Sequence, residues 1–157
     1  MTKIISFSGV SNSGKTTLID GLCKILIPRF KVGVIKHDPK NKALFDTKGK
    51  DSYKFFESGA NVALVSPSQT TIRFQKNIEN SKILELFNMN EPLDYLFIEG
   101  FKTMPFKKIC VIRDNFNQEE VDNATAIATL MENKIKFRNK IVLDLNNHNE
   151  ILKWIDK

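Results

Sequence analysis

The order of hydrophobic and polar positions along the chain predicts short buried strands separated by helices and loops. Apolar runs typical of buried strands lie at residues 3–7, 31–38, 61–66, 93–98, 109–112, 124–130 and 140–145, and residues 70–74 could form one more. Helical spacing is found at residues 15–27, at 52–58, from Ser81 to about residue 88, and at 150–155. Because strands alternate with helices, we predict an α/β fold with a mostly parallel β-sheet flanked by helices.

The first predicted strand leads directly into a glycine-rich loop, FSGVSNSGKTT, at residues 7–17. Residues 9–16 match the Walker A pattern G-x-x-x-x-G-K-[ST] at every fixed position, and an amphipathic helix with Leu18, Leu22, Ile25 and Leu26 on one face follows. Glycines let the backbone turn so that successive N–H groups converge on phosphate oxygens. The pattern predicts a P-loop NTPase fold whose nucleotide-binding residues are Gly9, Ser11, Asn12, Ser13, Gly14, Lys15, Thr16 and Thr17.

Three side chains are expected to carry the chemistry of this loop. Lys15 can reach the β and γ phosphates, and the Thr16 hydroxyl can bind Mg²⁺. P-loop proteins add a carboxylate from the end of a neighbouring strand. Glu99 follows the strand at 93–98, whereas Asp94 lies about 16 Å upstream along it and is expected to cap its far end. We therefore predict Thr16 and Glu99 as the magnesium site, with Glu99 binding the metal or orienting water.

The second predicted strand ends at His37 and is followed by a polar segment, PKNKALFDTKGKDS, at residues 39–52. This segment has no hydrophobic periodicity and concentrates Pro, Gly, Asn, Lys and Asp, as mobile loops that face a ligand do. His37, Asp38, Asp46, Lys50 and Asp51 could hold a second metal, contact the γ phosphate, or bind another anionic molecule. The sequence leaves these three possibilities open.

Composition limits the class of protein. A chain of 157 residues is long enough for one α/β domain, so we expect a single P-loop nucleotide-binding domain over residues 1–157. Cys23 and Cys110 have neither metal-ligand nor disulfide spacing, which favours buried free thiols in a reducing compartment. No signal pattern or membrane-length apolar run is present, so a cytoplasmic protein without membrane contact is expected. The phenylalanines are expected to lie in the core.

The net charge of +6 raises the question of nucleic-acid binding. Of 24 basic residues, only four are arginines, and these are scattered: Arg29, Arg73, Arg113 and Arg138. Lysine predominance is the commoner mark of a solvated surface, so no nucleic-acid partner is expected, and a small, highly charged anion fits the charge better. The segment nearest to the guanine-reading pattern [NT]-K-x-D is residues 133–136, NKIK, where lysine replaces the acid. Motifs alone therefore leave GTP and ATP open.

Several separated segments resemble one family. GVSNSGKTT, VIKHD, FDTKGKDSYKFFESGA, LDYLFIEGFK and KICVIRD occur in this order and at compatible spacing, and together they resemble the molybdopterin-guanine dinucleotide biosynthesis protein B family, MobB. The resemblance extends from Ile4 to about Ile155. GKDS at residues 49–52 combined with EGFK at 99–102 is its most specific part. The chain departs from the family at residues 38–40, where Asp-Pro-Lys stands in place of the further histidines that members often carry.

The resemblance implies a GTP-binding accessory protein with weak, magnesium-dependent GTPase activity, usually a homodimer. It would act beside the guanylyltransferase that joins molybdopterin to GMP, in forming or delivering molybdopterin guanine dinucleotide. On the family pattern, the catalytic residues would be Lys15, Glu99 and Asp46. Residues contacting molybdopterin or its guanine dinucleotide would be His37, Lys50, Asp51 and Lys102.

Two other functions fit a P-loop. A small-molecule or nucleotide kinase would carry a lid with several arginines, which the four scattered arginines do not suggest. A metal-insertion GTPase would have clustered Cys or His for metal transfer, but His37 and His148 lie far apart. Hydrolysis by a GTPase of this sequence is expected to be slow, because no obvious arginine finger accompanies Lys15 and a partner would have to supply one.

Overall fold

A computed structural model of the chain describes residues 1–89, 91–101, 104–137 and 139–157, without the side chains of residues 134 and 135. The chain divides into two compact units, one of residues 1–37 with 90–157 and one of residues 38–89. The strands are β1 (Lys3–Ser8), β2 (Val32–Lys36), β3 (Val62–Val65), β4 (Thr70–Arg73), β5 (Tyr95–Glu99), β6 (Lys107–Ile112), β7 (Ala126–Thr129) and β8 (Ile141–Asp144). The α-helices are α1 (Lys15–Leu26), α2 (Asp51–Glu57), α3 (Asn80–Asn88), α4 (Gln118–Asp122) and α5 (His148–Ile155), and a 3₁₀ helix spans Met131–Phe137.

The first unit contains a six-stranded sheet in the order β2-β5-β1-β6-β7-β8, and every pair of neighbouring strands is parallel. β1 lies between β5 and β6, with Phe7 opposite Glu99 on one side and opposite Ile109 on the other. The central strands are continuous apolar runs because elements pack on both faces of the sheet. The predicted mostly parallel sheet flanked by helices is therefore confirmed.

One large hydrophobic cluster joins the sheet to α1 and α5, and it includes Phe7, Phe97, Leu22 and Ile151, none of which has measurable exposure. Ile25 was predicted on the buried face of α1 but is 43% exposed. Its position is at the edge of the apolar stripe, and Ile19, 4% exposed, is buried instead.

A second, smaller cluster of the first unit contains Cys110, Ile112, Val121 and Phe137. Both cysteines are free thiols, as predicted. Cys110 is fully buried, whereas Cys23 is only partly so, and this partial burial raises the pKa of the Cys23 thiol. The prediction of buried thiols is therefore right for Cys110 and too strong for Cys23.

Two elements of the first unit were not predicted, α4 and the 3₁₀ helix. Both are short, and α4 has the polar sequence QEEVD, which gives little hydrophobic periodicity. A local signal for α4 was nevertheless present, because Asn117 is followed three residues later by a glutamate. The Asn117 side chain accepts a hydrogen bond from the backbone N–H of Glu120 and caps the helix.

The second unit consists of α2, α3 and an antiparallel hairpin in which Val62 is opposite Arg73. The strands predicted at 61–66 and 70–74 thus pair with each other in a sheet of their own. No residue of 38–89 is buried. Phe45, Phe55 and Phe74 are 84%, 59% and 42% exposed, so the prediction that phenylalanines lie in the core is wrong for them. A hairpin and two short helices provide no second layer within this unit that could cover them.

The division into two units does not decide how many domains the chain has, so the single domain stays a prediction.

Within the described residues, no helix is both long enough and apolar enough to cross a membrane.

Candidate functional site

The loop after β1 turns through three residues in the left-handed backbone region. Gly9, Asn12 and Gly14 have φ angles of 131°, 63° and 97°. A Cβ atom on Gly9 would lie 2.4 Å from the carbonyl oxygen of Val111, so only glycine allows the loop to lie this close to β6. Gly14 is the N-cap of α1 and has no side chain to satisfy the first N–H groups of the helix. These groups are therefore available to an anion.

A cavity of about 560 Å³ opens around this loop, and we call it the P-loop cavity. It lies entirely within the first unit, at the carboxyl ends of β1, β2, β5 and β6, where ligands of parallel α/β sheets bind. Its lining residues are Gly9, Ser11, Asn12, Gly14, Lys15, Thr16, Thr17, Lys36, His37, Glu99, Gly100 and Arg113. Ser13, also predicted to bind nucleotide, is buried beneath the loop, with its hydroxyl 3.4 Å from Lys15 Nζ.

The Lys15 ammonium group lies against the loop. Its Nζ donates hydrogen bonds to the carbonyl oxygens of Gly9 and Val10, at 2.8 and 2.7 Å. Burial lowers the pKa of Lys15, while the negative charges of Glu99 and Glu120 act in the opposite direction. A phosphate bound in the loop would add negative charge beside this ammonium group and favour its protonated form.

Thr16 and Glu99 come together as predicted. The Thr16 hydroxyl lies 3.2 Å from both carboxylate oxygens of Glu99, which is the last residue of β5. A hydroxyl and a carboxylate are hard oxygen ligands of the kind that Mg²⁺ takes from proteins when phosphates and water complete its shell. No cluster of three or more His, Cys, Asp or Glu suited to a metal occurs among the described residues. The pair therefore fits an Mg²⁺ ion that takes its remaining ligands from phosphate and water, and it does not fit a metal held by protein groups alone.

Two cationic residues of this cavity were not predicted. Lys36, the last residue of β2, has its Nζ 3.2 Å from Glu99 Oε1. Arg113 follows β6, and its Nη2 lies 3.7 Å from the position that a Cβ on Gly14 would occupy. The four arginines are scattered along the sequence, but the sheet brings Arg113 to the loop after β1. Its place directly after an apolar strand was the signal that could have identified it.

His37 lies at the rim of the cavity. Its backbone N–H donates to the carbonyl oxygen of Glu99 at 2.9 Å, and its ring stacks on Phe101 with 4.3 Å between ring centroids. Gly100 has a φ of 96°, and a Cβ there would lie 2.9 Å from the Cβ of His37. His37 is thus held beside Glu99 by local packing, and its contact with a ligand stays a prediction.

Three predicted site residues, Asp46, Lys50 and Asp51, belong to the second unit. Asp46 accepts hydrogen bonds from Arg73 Nη1 at 2.9 Å and from the Ser52 hydroxyl at 3.1 Å. Lys50 is the N-cap of α2, and Asp51 lies in its first turn. The catalytic role of Asp46 and the cofactor contacts of Lys50 and Asp51 stay predictions. Lys102, the last of the predicted cofactor contacts, lies outside the described residues.

Two other expectations concern residues near the ends of strands. Asp94 lies at the amino end of β5, where its Oδ2 accepts from the backbone N–H of Lys31 at 2.8 Å, so its predicted capping position is confirmed.

Asn133, the first residue of the segment that resembles the guanine-reading pattern but lacks its acid, donates through Nδ2 to the carbonyl oxygen of Arg113 at 3.2 Å. Lys136 Nζ donates in turn to Asn133 Oδ1 at 2.8 Å, so this segment supports the backbone beside the cavity.

Comparison with known families gives a match over most of the chain. The family described as molybdopterin guanine dinucleotide synthesis protein B, MobB, matches residues 4–132. The chain is 30% identical over 162 residues to the molybdopterin-guanine dinucleotide biosynthesis adapter protein of Haemophilus influenzae, covering 98% of this chain and 87% of the relative. It is 30% identical over 140 residues to a probable adapter protein of the same name from Bacillus subtilis, covering 83% and 77%.

A third relative is longer. The putative molybdopterin-guanine dinucleotide biosynthesis adapter protein of Methanocaldococcus jannaschii is 30% identical over 129 residues, which are 80% of this chain and 53% of the relative. The chain thus spans about half the length of that relative.

Solved structures share the fold. The crystal structure of Bacillus subtilis MobB aligns with a TM-score of 0.77 at 23% identity, covering 96% of both chains. The structure of a MobB homologue from Bacillus stearothermophilus aligns with a TM-score of 0.68 at 17% identity, covering 99% of this chain and 96% of the other. At these identities the likeness shows the fold, an α/β fold of the P-loop NTPase type.

Proposed function

Because the chain belongs to the MobB family, we propose that it is a GTP-binding accessory protein, with weak magnesium-dependent GTPase activity, in the synthesis of molybdopterin guanine dinucleotide. The relatives' names supply the pathway, since they are adapter proteins of molybdopterin-guanine dinucleotide biosynthesis. One observation supports the nucleotide-binding part of the proposal. The glycine-rich loop, Lys15 and the Thr16–Glu99 pair all line one cavity.

The charges around the P-loop cavity favour a polyphosphate. Lys15, Lys36 and Arg113 contribute three positive charges, against one negative charge from Glu99. Arginine binds phosphate through a planar fork of N–H donors, and lysine binds it as a point charge. We assign Lys15 and Arg113 to the phosphates of the nucleotide, with the N–H groups of residues 11–16 around them.

Thr16 and Glu99 would hold the magnesium ion. When bound, Mg²⁺ neutralises charge on the phosphate oxygens. The amides of the loop position the phosphates, and Lys15 stabilises charge on them. Arg113 could act on the same phosphates from within the chain, so the arginine that hydrolysis needs would not have to come from a partner. A contribution from the second unit, through Asp46, is part of the proposal on the family pattern alone.

The choice of GTP over ATP is supported by the family alone, because the nearest guanine motif lacks its acid. Calorimetric titration of GTP and ATP, each with and without Mg²⁺, tests this choice. We expect GTP to bind more tightly than ATP and to need Mg²⁺ for full affinity. Thr16→Val and Glu99→Gln should remove the magnesium dependence. Equal affinity for the two nucleotides would contradict the selectivity.

Lys15→Ala tests the phosphate contacts directly. A hydrogen bond to a charged group is worth about 1.5–3 kcal/mol, so the affinity for GTP should fall about 10- to 100-fold. Lys24→Ala is the matched control, because Lys24 lies on the same helix but is exposed and pairs with Asp20. It should leave the affinity within about twofold. Equal losses in the two variants would show that net charge, and not the loop, binds the nucleotide.

Molybdopterin guanine dinucleotide is the second ligand to test, on protein already saturated with GTP. Binding of both supports a cofactor-handling role beside the guanylyltransferase. If ATP binds as well as GTP and the dinucleotide does not bind, a small-molecule or nucleotide kinase becomes the better hypothesis. Formation of a phosphorylated product from a candidate acceptor would establish it.

The proposal includes a homodimer. The second unit exposes several large apolar side chains that association could cover, among them Leu44 at 90%, Phe45 at 84%, Val65 at 72% and Met89 at 78%. Sedimentation equilibrium at micromolar concentration should give twice the chain mass of 18.0 kDa. A mass of one chain at these concentrations would remove the dimer from the proposal without affecting nucleotide binding.

A further inference from the structure

The first unit contains a second cavity, of about 420 Å³, on the side of the sheet where α4 packs. Its lining includes Ser8 at the end of β1, Met104, Phe106, Lys108 on β6, and Glu119 and Glu120 on α4. None of these residues lines the P-loop cavity. We call this space the α4 cavity.

The α4 cavity has a buried polar floor. Ser8, Lys108 and Glu120 are only 3%, 6% and 6% exposed. The Ser8 hydroxyl has no hydrogen-bond partner in the described part of the chain. Burying a hydroxyl without a partner costs free energy, because its bonds to water are lost and not replaced. A ligand that hydrogen-bonds to Ser8 would recover this loss, so the hydroxyl marks one contact point of a binding site.

The charges and walls of the α4 cavity select the kind of ligand. Lys108 provides one positive charge and the two glutamates provide two negative charges, so a phosphate or carboxylate ligand is disfavoured. The carboxylate of Glu119 is exposed at the rim and can accept hydrogen bonds from N–H groups. Phe106 and Met104 form an apolar wall that suits the flat face of a ring. An uncharged, flat heterocycle with N–H donors and a carbonyl oxygen meets all of these conditions.

The α4 cavity is connected to the nucleotide loop by one side chain. The backbone N–H of Gly9 donates to the Glu120 carboxylate, and Gly9 is the first glycine of the loop. Ser8 directly precedes Gly9 in the chain. A ligand in the α4 cavity therefore lies against the residues that fix where the loop begins.

We propose that the α4 cavity binds a ring carrying the 2-amino-4-oxo edge that guanine and pterins share, and that its occupancy changes the affinity of the P-loop cavity for nucleotide. In this arrangement the amino and ring N–H groups donate to Glu119, and the carbonyl oxygen accepts from Ser8. The second half of the proposal rests on the proposed function, because it requires a nucleotide in the P-loop cavity.

Titration of the intact protein with ring compounds that carry no phosphate tests whether the α4 cavity binds this edge. Guanosine and 6-hydroxymethylpterin both carry the 2-amino-4-oxo edge, and adenosine is the control that lacks it. At least one of the first two should bind, and adenosine should bind at least tenfold more weakly. Whichever binds more tightly identifies the source. No binding by either ring, or equal binding by adenosine, would overturn the site.

Ser8→Ala and Glu119→Gln should each lower the affinity for the ring about 5- to 10-fold, as expected for the loss of one hydrogen bond. Glu132→Gln is the matched control, because Glu132 is an exposed acid of the 3₁₀ helix, and it should change the affinity less than twofold. The melting temperature of Ser8→Ala without ligand should equal or exceed that of the parent, since an unpaired hydroxyl is removed. Unchanged affinity in both cavity variants would show that the ring binds elsewhere.

The second half is tested by titrating GTP into protein with and without saturating ring. The GTP affinity should change at least threefold, and the ring affinity should change by the same factor when GTP is bound. Ser8→Ala should reduce this coupling, because the contact of the ring with the residue that directly precedes Gly9 is lost. Equal GTP affinities with and without ring would overturn it. If GTP fails to bind to the parent protein while the ring still binds, the proposed function fails and the α4 cavity stands. Lys15→Ala should weaken GTP binding but leave the affinity for the ring, measured without GTP, unchanged, because Lys15 does not line the α4 cavity.

Discussion

The two units of this chain differ in how they use apolar residues. In the first unit, apolar side chains of the central strands of the parallel sheet are covered on both faces, and Phe7, Phe97 and Ile109 have no measurable exposure. In the second unit no residue is buried, although it contains strands, helices and several phenylalanines. All residues that line the P-loop cavity belong to the first unit.

This difference shows what a precise site needs. Lys15, Glu99 and Arg113 are held by or follow elements whose backbones are fixed in a packed core, and all three line one cavity. The second unit depends on hydrogen bonds and ion pairs, such as Arg73 with Asp46 at 2.9 Å. Regions with little buried apolar surface open at low free-energy cost. We therefore expect the second unit to adapt to partners and the first to recognise a fixed ligand.

The largest contrast is expected from two phenylalanine truncations. Phe97→Ala leaves a cavity beneath Phe7, with which Phe97 makes an edge-to-face contact at 5.5 Å, and should lower the free energy of unfolding by about 3–5 kcal/mol. Phe45→Ala should change it by less than about 0.5 kcal/mol in the monomer. Urea denaturation at low protein concentration measures both. A large loss for Phe45→Ala would show that this side chain is covered in the native protein.

Two glycine substitutions separate backbone strain from steric contact. Gly9 and Gly59 both have positive φ, but a Cβ on Gly9 would meet the Val111 carbonyl oxygen at 2.4 Å, whereas nothing lies within 4 Å of one on Gly59. Gly59→Ala should lower the free energy of unfolding by about 1–2 kcal/mol, from strain alone. Gly9→Ala should cost about 2–3 kcal/mol more, because the loop must move off β6. Equal losses would mean that the loop can shift without cost.

Two arginine substitutions sharpen the functional side of the comparison. Arg113→Ala should weaken GTP binding about tenfold, because one charge-assisted phosphate contact is lost. Arg73→Ala removes the partner of Asp46 and a contact 3.6 Å above the Phe56 ring, and it should lower stability by about 1 kcal/mol while leaving GTP affinity unchanged. Calorimetry and urea denaturation report the two effects. A loss of GTP affinity in Arg73→Ala would show that the second unit takes part in binding.

The smallest effect is expected from pH. Burial raises the pKa of Asp156, but hydrogen bonds from Lys3 and Tyr95 outweigh it and hold the pKa below the ordinary value of 3.8. A carboxylate with a lowered pKa stabilises the fold above its unfolded pKa and loses this contribution as the pH falls through the lowered value. The hydrogen bond to Asp156 raises the pKa of Lys3 above 10.5, so the contribution from Lys3 is lost as the pH rises through that raised value.

Because Lys3 and Asp156 are 41% and 45% exposed, these contributions should be below about 1 kcal/mol. Unfolding free energies of the parent and Asp156→Asn, measured from pH 7 downward, should begin to converge as the pH falls below the ordinary pKa of 3.8. Tyr95→Phe removes one of the two hydrogen bonds and should show part of the difference. A constant gap between parent and Asp156→Asn across this range would exclude the linkage.

The sequence by itself determined the parts that depend on local pattern. The parallel sheet followed from apolar runs separated by helices, and the tight turn of the loop after β1 followed from its glycines, Gly9 and Gly14. The positions of Glu99 and Asp94 could also be told apart. Strand direction places Glu99 at the carboxyl edge of the sheet, where ligands bind, and Asp94 at the opposite edge. Each of these inferences uses spacing along the chain, which the sequence states directly.

Only the tertiary structure decided which distant residues meet. Arg113 and Lys36 join Lys15 because β6 and β2 end at the same edge of the sheet as β1, and strand order cannot be read from spacing. The tertiary structure also decided that the hairpin of the second unit forms a sheet of its own and that its phenylalanines are exposed. The α4 cavity likewise depends on how helices pack on the sheet. Burial is a property of the packed chain as a whole, so a phenylalanine has the same pattern in sequence whether its neighbours cover it or leave it in water.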